Sequence, residues 1–91
     1  MSLAKKFDAD LTNKIAELRH CGYVEFNKWE LLTWFQRDRI TSVIWDEIYE
    51  RWSDVWEGSD SKVEDNPLMY RDTGKSYIII NKSYFEDLYQ N

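Results

Sequence analysis

Asp46, Glu47, Glu50, Asp54 and Glu57 are the densest set of chemically capable side chains in this sequence. Carboxylates grouped this way serve proton transfer only where burial or a like-charged neighbour moves their pKa. Otherwise they form a solvated face or meet something positive. Their spacing decides between these roles. Wound as a helix at about 100° per residue, the five fall within an arc of about 100°, with no base among them. Ile44, Ile48, Trp52 and Val55 occupy an arc of about 80° on the other side, and Trp45, Tyr49 and Trp56 widen it to about 140°. Acids on the polar face of an amphipathic helix are ordinarily solvated, which points away from acid–base catalysis and towards a face that is either idle or meets a positive partner.

Other chemistry is sparsely provided. His20 and Cys21 are the single histidine and cysteine. Consecutive helical residues point about 100° apart, so the two do not face each other as base and nucleophile. They also cannot complete a nitrogen–sulfur set for a metal. Asp60, Glu64 and Asp65 lack both the spacing and the glycine of a calcium loop. With three glycines in the chain, there is no glycine-rich phosphate loop and no nucleophile elbow. The expectation is a protein that is not an enzyme and uses no metal or cofactor.

The elements that position the acidic face can be read from capping residues and periodicity. Asp8 or Asp10 can cap a first helix carrying Leu11, Ile15 and Leu18, and Gly22 stops it. Tyr23–Phe26 alternates as a short strand. Asn27 and Glu30 are spaced as a capping box opening a second helix, which carries Trp29, Leu31, Leu32, Trp34 and Phe35. After a polar turn at residues 36–39, Thr41 or Ser42 caps the acidic helix, expected over residues 42–57 and ended by Gly58. Residues 58–67 read as a flexible acidic loop. Leu68–Tyr70 and Ser76–Ile80 form a hairpin whose turn uses Gly74. Ser83 and Glu86 then offer a cap for a short C-terminal helix bearing Phe85, Leu88 and Tyr89. The expected fold is a single α+β domain over residues 1–91, three helices and a β-hairpin in winged-helix-like order.

Composition sets the remaining bounds. The chain has 91 residues, 16% of them aromatic, and a net charge of −5. Residues 46–65 hold eight acids against Arg51 and Lys62, so that window alone carries −6 and the rest is nearly neutral. This charge opposes generic affinity for nucleic acid or anionic membranes. A lone cysteine, no apolar leader in the opening residues and no span-length apolar run make a cytoplasmic location the expectation.

These observations favour protein binding. Asp46, Glu47, Glu50, Asp54 and Glu57, flanked by Trp45, Tyr49 and Trp56, would dock a basic partner surface by electrostatic steering and aromatic anchoring. The class expected is an inhibitor or regulator. Small acidic proteins of viruses and mobile elements that act as anti-defence factors or DNA mimics share this size and charge. Self-association into a homodimer through exposed aromatics remains open. The alternative is a winged-helix DNA-binding regulator. It would hold phosphates through Arg37, Arg39, Thr41 and Ser42 at the start of the acidic helix and Arg71 and Lys75 on the hairpin, but the acids of that helix would confront the polyanion.

Overall fold

A computed structural model describes residues 5–89. It is a compact α+β arrangement: helix α1 (Asp8–Cys21), strand β1 (Tyr23–Asn27), α2 (Lys28–Phe35), α3 (Ser42–Asp54), β2 (Leu68–Asp72) and β3 (Ser76–Asn81). Single 3-10 turns lie at Lys5–Phe7, Val63–Asp65 and Lys82–Tyr84. The three strands form one antiparallel sheet in the order β1-β3-β2, so β1 pairs with the far arm of the hairpin, Tyr23 opposite Ile80 and Asn27 opposite Ser76. No helix among the described residues is long and apolar enough to cross a membrane.

The helical and strand periodicities meet in one core. Leu11, Ile15 and Leu18 of α1 are buried against Val24 and Phe26 of β1 and Tyr77 and Ile79 of β3. Leu31, Trp34 and Phe35 of α2 and Ile44, Ile48 and Trp52 of α3 join the same cluster. Trp34 meets Phe26 edge-on at 6.3 Å, while Trp29, at the exposed start of α2, takes no part in the core. Gly22 ends α1 as expected, with φ +86°, a left-handed conformation that favours glycine. It is also covered by the ring of Tyr84, which a Cβ at this position would meet at 2.4 Å. The Glu30 carboxylate accepts the Asn27 backbone N–H at 3.2 Å at the start of α2. Gly74 turns the hairpin with φ +98°.

Four expectations are corrected. Neither Asp8 nor Asp10 caps α1: the N-cap position is Phe7, without a side-chain cap bond, and the Asp8 carboxylate instead accepts from the Arg51 guanidinium of α3. Thr41 occupies the N-cap of α3 but its side chain makes no capping bond. The acidic helix ends at Asp54, not Gly58; Trp56 N–H turns in to the Ser53 carbonyl and Glu57 N–H to the Asp54 carbonyl, each at 3.2 Å. Trp56 is buried past the end of α3, where it meets Trp52 edge-on at 5.3 Å. Finally, the C-terminal helix is replaced by the Lys82–Tyr84 turn followed by extended Phe85. The Ser83 hydroxyl that would have capped it donates to Asn66 and Asn81, and Tyr84 donates its hydroxyl to the Arg19 carbonyl.

Asn66 organises the acidic loop 58–67. Its amide nitrogen donates to the Lys62 carbonyl at 2.8 Å and to Ser61 Oγ at 2.9 Å. Its side-chain oxygen accepts from Asn81 and Ser83, both at 3.0 Å, and its backbone carbonyl accepts the indole N–H of Trp52. The chain between α3 and β2 is thereby tied to the last residue of β3.

Candidate partner-binding groove

The two flanks of α3 have different fates. On one flank Arg51 bridges to α1. Its Nε donates to Glu47 at 2.9 Å, one turn back on the same helix, and its other nitrogens donate to Thr12 Oγ1 and Asp8. Burial alone would lower the Arg51 pKa, but the hydrogen bonds it donates to Asp8 and Glu47 outweigh that and the pKa is raised. Glu47 is therefore half-buried and neutralised, not part of a free acidic face. Spacing alone assigned it to that face because Arg51 lies just outside the carboxylate arc.

On the opposite flank, α3 and the edge strand β2 enclose an apolar groove of about 270 Å³. Trp45 forms its floor, meeting Tyr77 edge-on at 4.7 Å and Tyr70 at 5.7 Å. Tyr49, one turn along α3, is 51% exposed; across the groove Tyr70 and Met69 are 66% and 52% exposed. Asp46 and Glu50 are exposed on the solvent side of α3. They make no ion pair or side-chain hydrogen bond among the described residues. Asp46 and Glu50 each follow a groove aromatic by one residue, about 100° further round the helix, so carboxylates rim an aromatic trough.

The structure thus brings together Trp45, Tyr49, Asp46 and Glu50 and leaves out four other residues proposed for this face. Asp54 is exposed but lies on the α1 flank, beside Thr12, Ala16 and Arg51. Trp56 is only 8% exposed and belongs to the core, stacked beneath the Arg19 guanidinium at 4.8 Å. Its indole N–H is buried and has no partner among the described residues. Glu57 is exposed but lies beyond the end of α3. Glu47 faces α1. Met69 and Tyr70 were missed. Their strand was legible, but its place at the sheet edge beside α3 depends on β1 pairing with β3, which no local signal carries.

The alternative basic set does not converge. Arg37 and Arg39 are exposed in the turn before α3, Ser42 is exposed at its first residue, and Thr41 is half-buried with its hydroxyl unpartnered. Arg71 is exposed on β2 and Lys75 in the hairpin turn, and among the described residues no ion pair or hydrogen bond links the two groups. Beside them, β2 ends at Asp72, paired with Lys28 at 2.9 Å. The Lys28 hydrogen bond and the Gly74 N–H hold the Asp72 pKa below its ordinary value, and Asp72 in turn raises that of Lys28. His20 and Cys21 are both exposed, and no three His, Cys, Asp or Glu side chains converge among the described residues. Comparison with protein-family models, curated proteins and solved structures returns no match.

Proposed function

We propose that the chain is a non-enzymatic protein-binding domain, an inhibitor or regulator that docks a basic surface of its partner against the groove between α3 and β2. One observation carries this reading: two exposed carboxylates, Asp46 and Glu50, with no partner among the described residues, flank a trough whose exposed aromatics, Tyr49 and Tyr70, no other described element covers. The carboxylates would speed encounter with a positive partner, and the aromatics would set how long it stays. The winged-helix arrangement is part of the same proposal and is supported by the element order and by β1 lying against β3. In that arrangement α3 is the element that would enter a DNA groove, and its outward carboxylates favour a basic protein over a polyanion.

The test is capture of partners from the native host at low and high salt, followed by binding kinetics with the combined variant Asp46→Asn and Glu50→Gln. Association is expected to slow by about tenfold or more while melting stays within about 0.5 kcal/mol of the parent. Tyr49→Ala is expected to speed dissociation without loss of stability. Trp56→Ala is expected to cost about 3–5 kcal/mol of stability, as a core truncation does. Competition by duplex DNA reports whether the partner's basic surface is its nucleic-acid site. Unchanged binding by the neutralised variant refutes the role of the acidic face. Tight duplex binding by this chain, lost on replacing Arg37, Arg39 and Lys75, would establish the DNA-binding alternative instead.

A further inference from the structure

We infer that the groove is completed by an added strand: an extended, basic peptide segment of the partner pairs with the free edge of β2 and lays its alternate side chains into the aromatic trough. The inference rests on the reading of this face as the binding site and specifies the form of its occupant.

The backbone of β2 decides which groups are available. Thr73 N–H donates to the Ser76 carbonyl and Lys82 N–H to the Pro67 carbonyl, so pairs 73–76 and 67–82 are hydrogen-bonded pairs of the ladder. Antiparallel pairing alternates, and in this register Met69 opposite Ile80 and Arg71 opposite Ile78 are bonded pairs too. The N–H and C=O groups of Leu68, Tyr70 and Asp72 therefore point away from β3, towards the open edge. Among the described residues no other backbone hydrogen bond uses them. The opposite edge of the sheet is treated differently: on β1, the Lys14 ammonium covers the outward Glu25 carbonyl at 2.9 Å. An edge with unpaired groups and no such guard is a template for a further strand.

The groove lies along this edge. It is lined by Leu68, Met69 and Tyr70 in succession, and since successive strand residues point to opposite faces, only a trough passing the strand's rim touches all three. A strand added there places every second side chain beside Trp45, Tyr49 and Tyr70. These rings attract a cation, and the Asp46 and Glu50 carboxylates stand at the rim. Lysine or arginine suits those positions, with an apolar stem against the rings and a charged end among the carboxylates. The intervening side chains fall on the other face, near Met69 and Arg71, where apolar and acidic residues fit. The occupant is thus a period-two segment, basic on one face only.

The probe is an acetylated, amidated seven-residue peptide alternating lysine and valine, titrated into the isotope-labelled full chain and followed by amide NMR. A glutamate–valine counterpart and two N-methylated forms, one methylated at the lysine amides and the other at the valine amides, complete the set. The expected result is shifts centred on Leu68 and Tyr70, slowed exchange of those two amides, and no binding of the glutamate peptide. One methylated form should bind at least about tenfold more weakly while the other is tolerated, because only alternate amides face the edge. Selective loss with lysine methylation means antiparallel addition. Binding that both methylated forms retain, or lose alike, overturns strand addition. So does a lysine peptide that leaves Leu68 and Tyr70 unshifted and unprotected at millimolar concentration. Either failure leaves the charge-neutralisation experiment on the captured partner to judge the proposed function separately.

Discussion

Replacing Asn66 with alanine should cost about 3 kcal/mol, far more than a residue from an acidic, serine-containing loop would suggest. The side chain donates twice and accepts twice. Water can replace its partners at Ser61 and Ser83, which sit nearer the surface, so those losses cost about 0.5 kcal/mol each. Asn81 is 0% exposed, and its amide N–H would be stranded without an acceptor, a penalty of about 1–3 kcal/mol. A domain of this size has a total of the order of 5–10 kcal/mol, so the variant should lose a large share of its stability and melt about 12–24 °C lower. Urea unfolding monitored by tryptophan fluorescence measures the free energy directly. A double-mutant cycle with Asn81→Ala isolates the pair, and the two single losses should exceed the double loss by at least about 1 kcal/mol. An Asn66→Ala loss below about 0.5 kcal/mol, or an additive cycle, would show that the loop is not held through this network.

Gly22→Ala should destabilise by roughly 1 kcal/mol for the left-handed backbone, plus a further loss from displacing Tyr84. In a Tyr84→Gly background, which removes both the ring and the Cβ that lies 2.9 Å from the added methyl, only the backbone part should remain, so thermal melts of the four proteins separate the two causes. The Lys28–Asp72 pair should make stability depend on pH at both extremes. Asp72 has a lowered folded pKa, so its contribution is present above the ordinary carboxylate value of 3.8 and is lost as pH falls through the folded value. Lys28 has a raised one, so its contribution is present below 10.5 and is lost as pH rises through the folded value. Both groups are exposed and the effect should be small; Asp72→Asn should flatten both limbs of a plot of melting temperature against pH.

What the sequence made legible was what neighbouring residues decide together. The Leu11, Ile15, Leu18 stripe, the Gly22 stop, the Tyr23–Phe26 strand and the Gly74 hairpin all rest on spacings within one or two turns, and all are present. The errors arose where a side chain answers to a distant partner. Asp8 has the chemistry of a cap but is drawn to Arg51, and Ser83 has it too but is taken by Asn66 and Asn81. The site divides along the same line. Helical angle alone placed Trp45, Tyr49, Asp46 and Glu50 near one another, whereas Glu47 and Asp54, assigned to the same face, turn towards α1. The same angle put Trp56 at the margin of the apolar arc, whereas the indole is buried in the core beneath Arg19. Met69 and Tyr70 entered the site only through the strand order.

That strand order also governs how the molecule can assemble itself. The hairpin of β2 and β3 closes over a three-residue turn and can zip within microseconds, whereas joining β1 to β3 must close the whole stretch from Asn27 to Ser76. The entropy of that closure is met before its contacts repay it, which makes docking of β1 on the hairpin the slow event of folding. On the ribosome the same constraint becomes an order of events. Residues 5–54 emerge as helices and one strand whose neighbour in the sheet is still to be made, and the edge of β1 that pairs with β3 is satisfied only when Asn81 clears the exit.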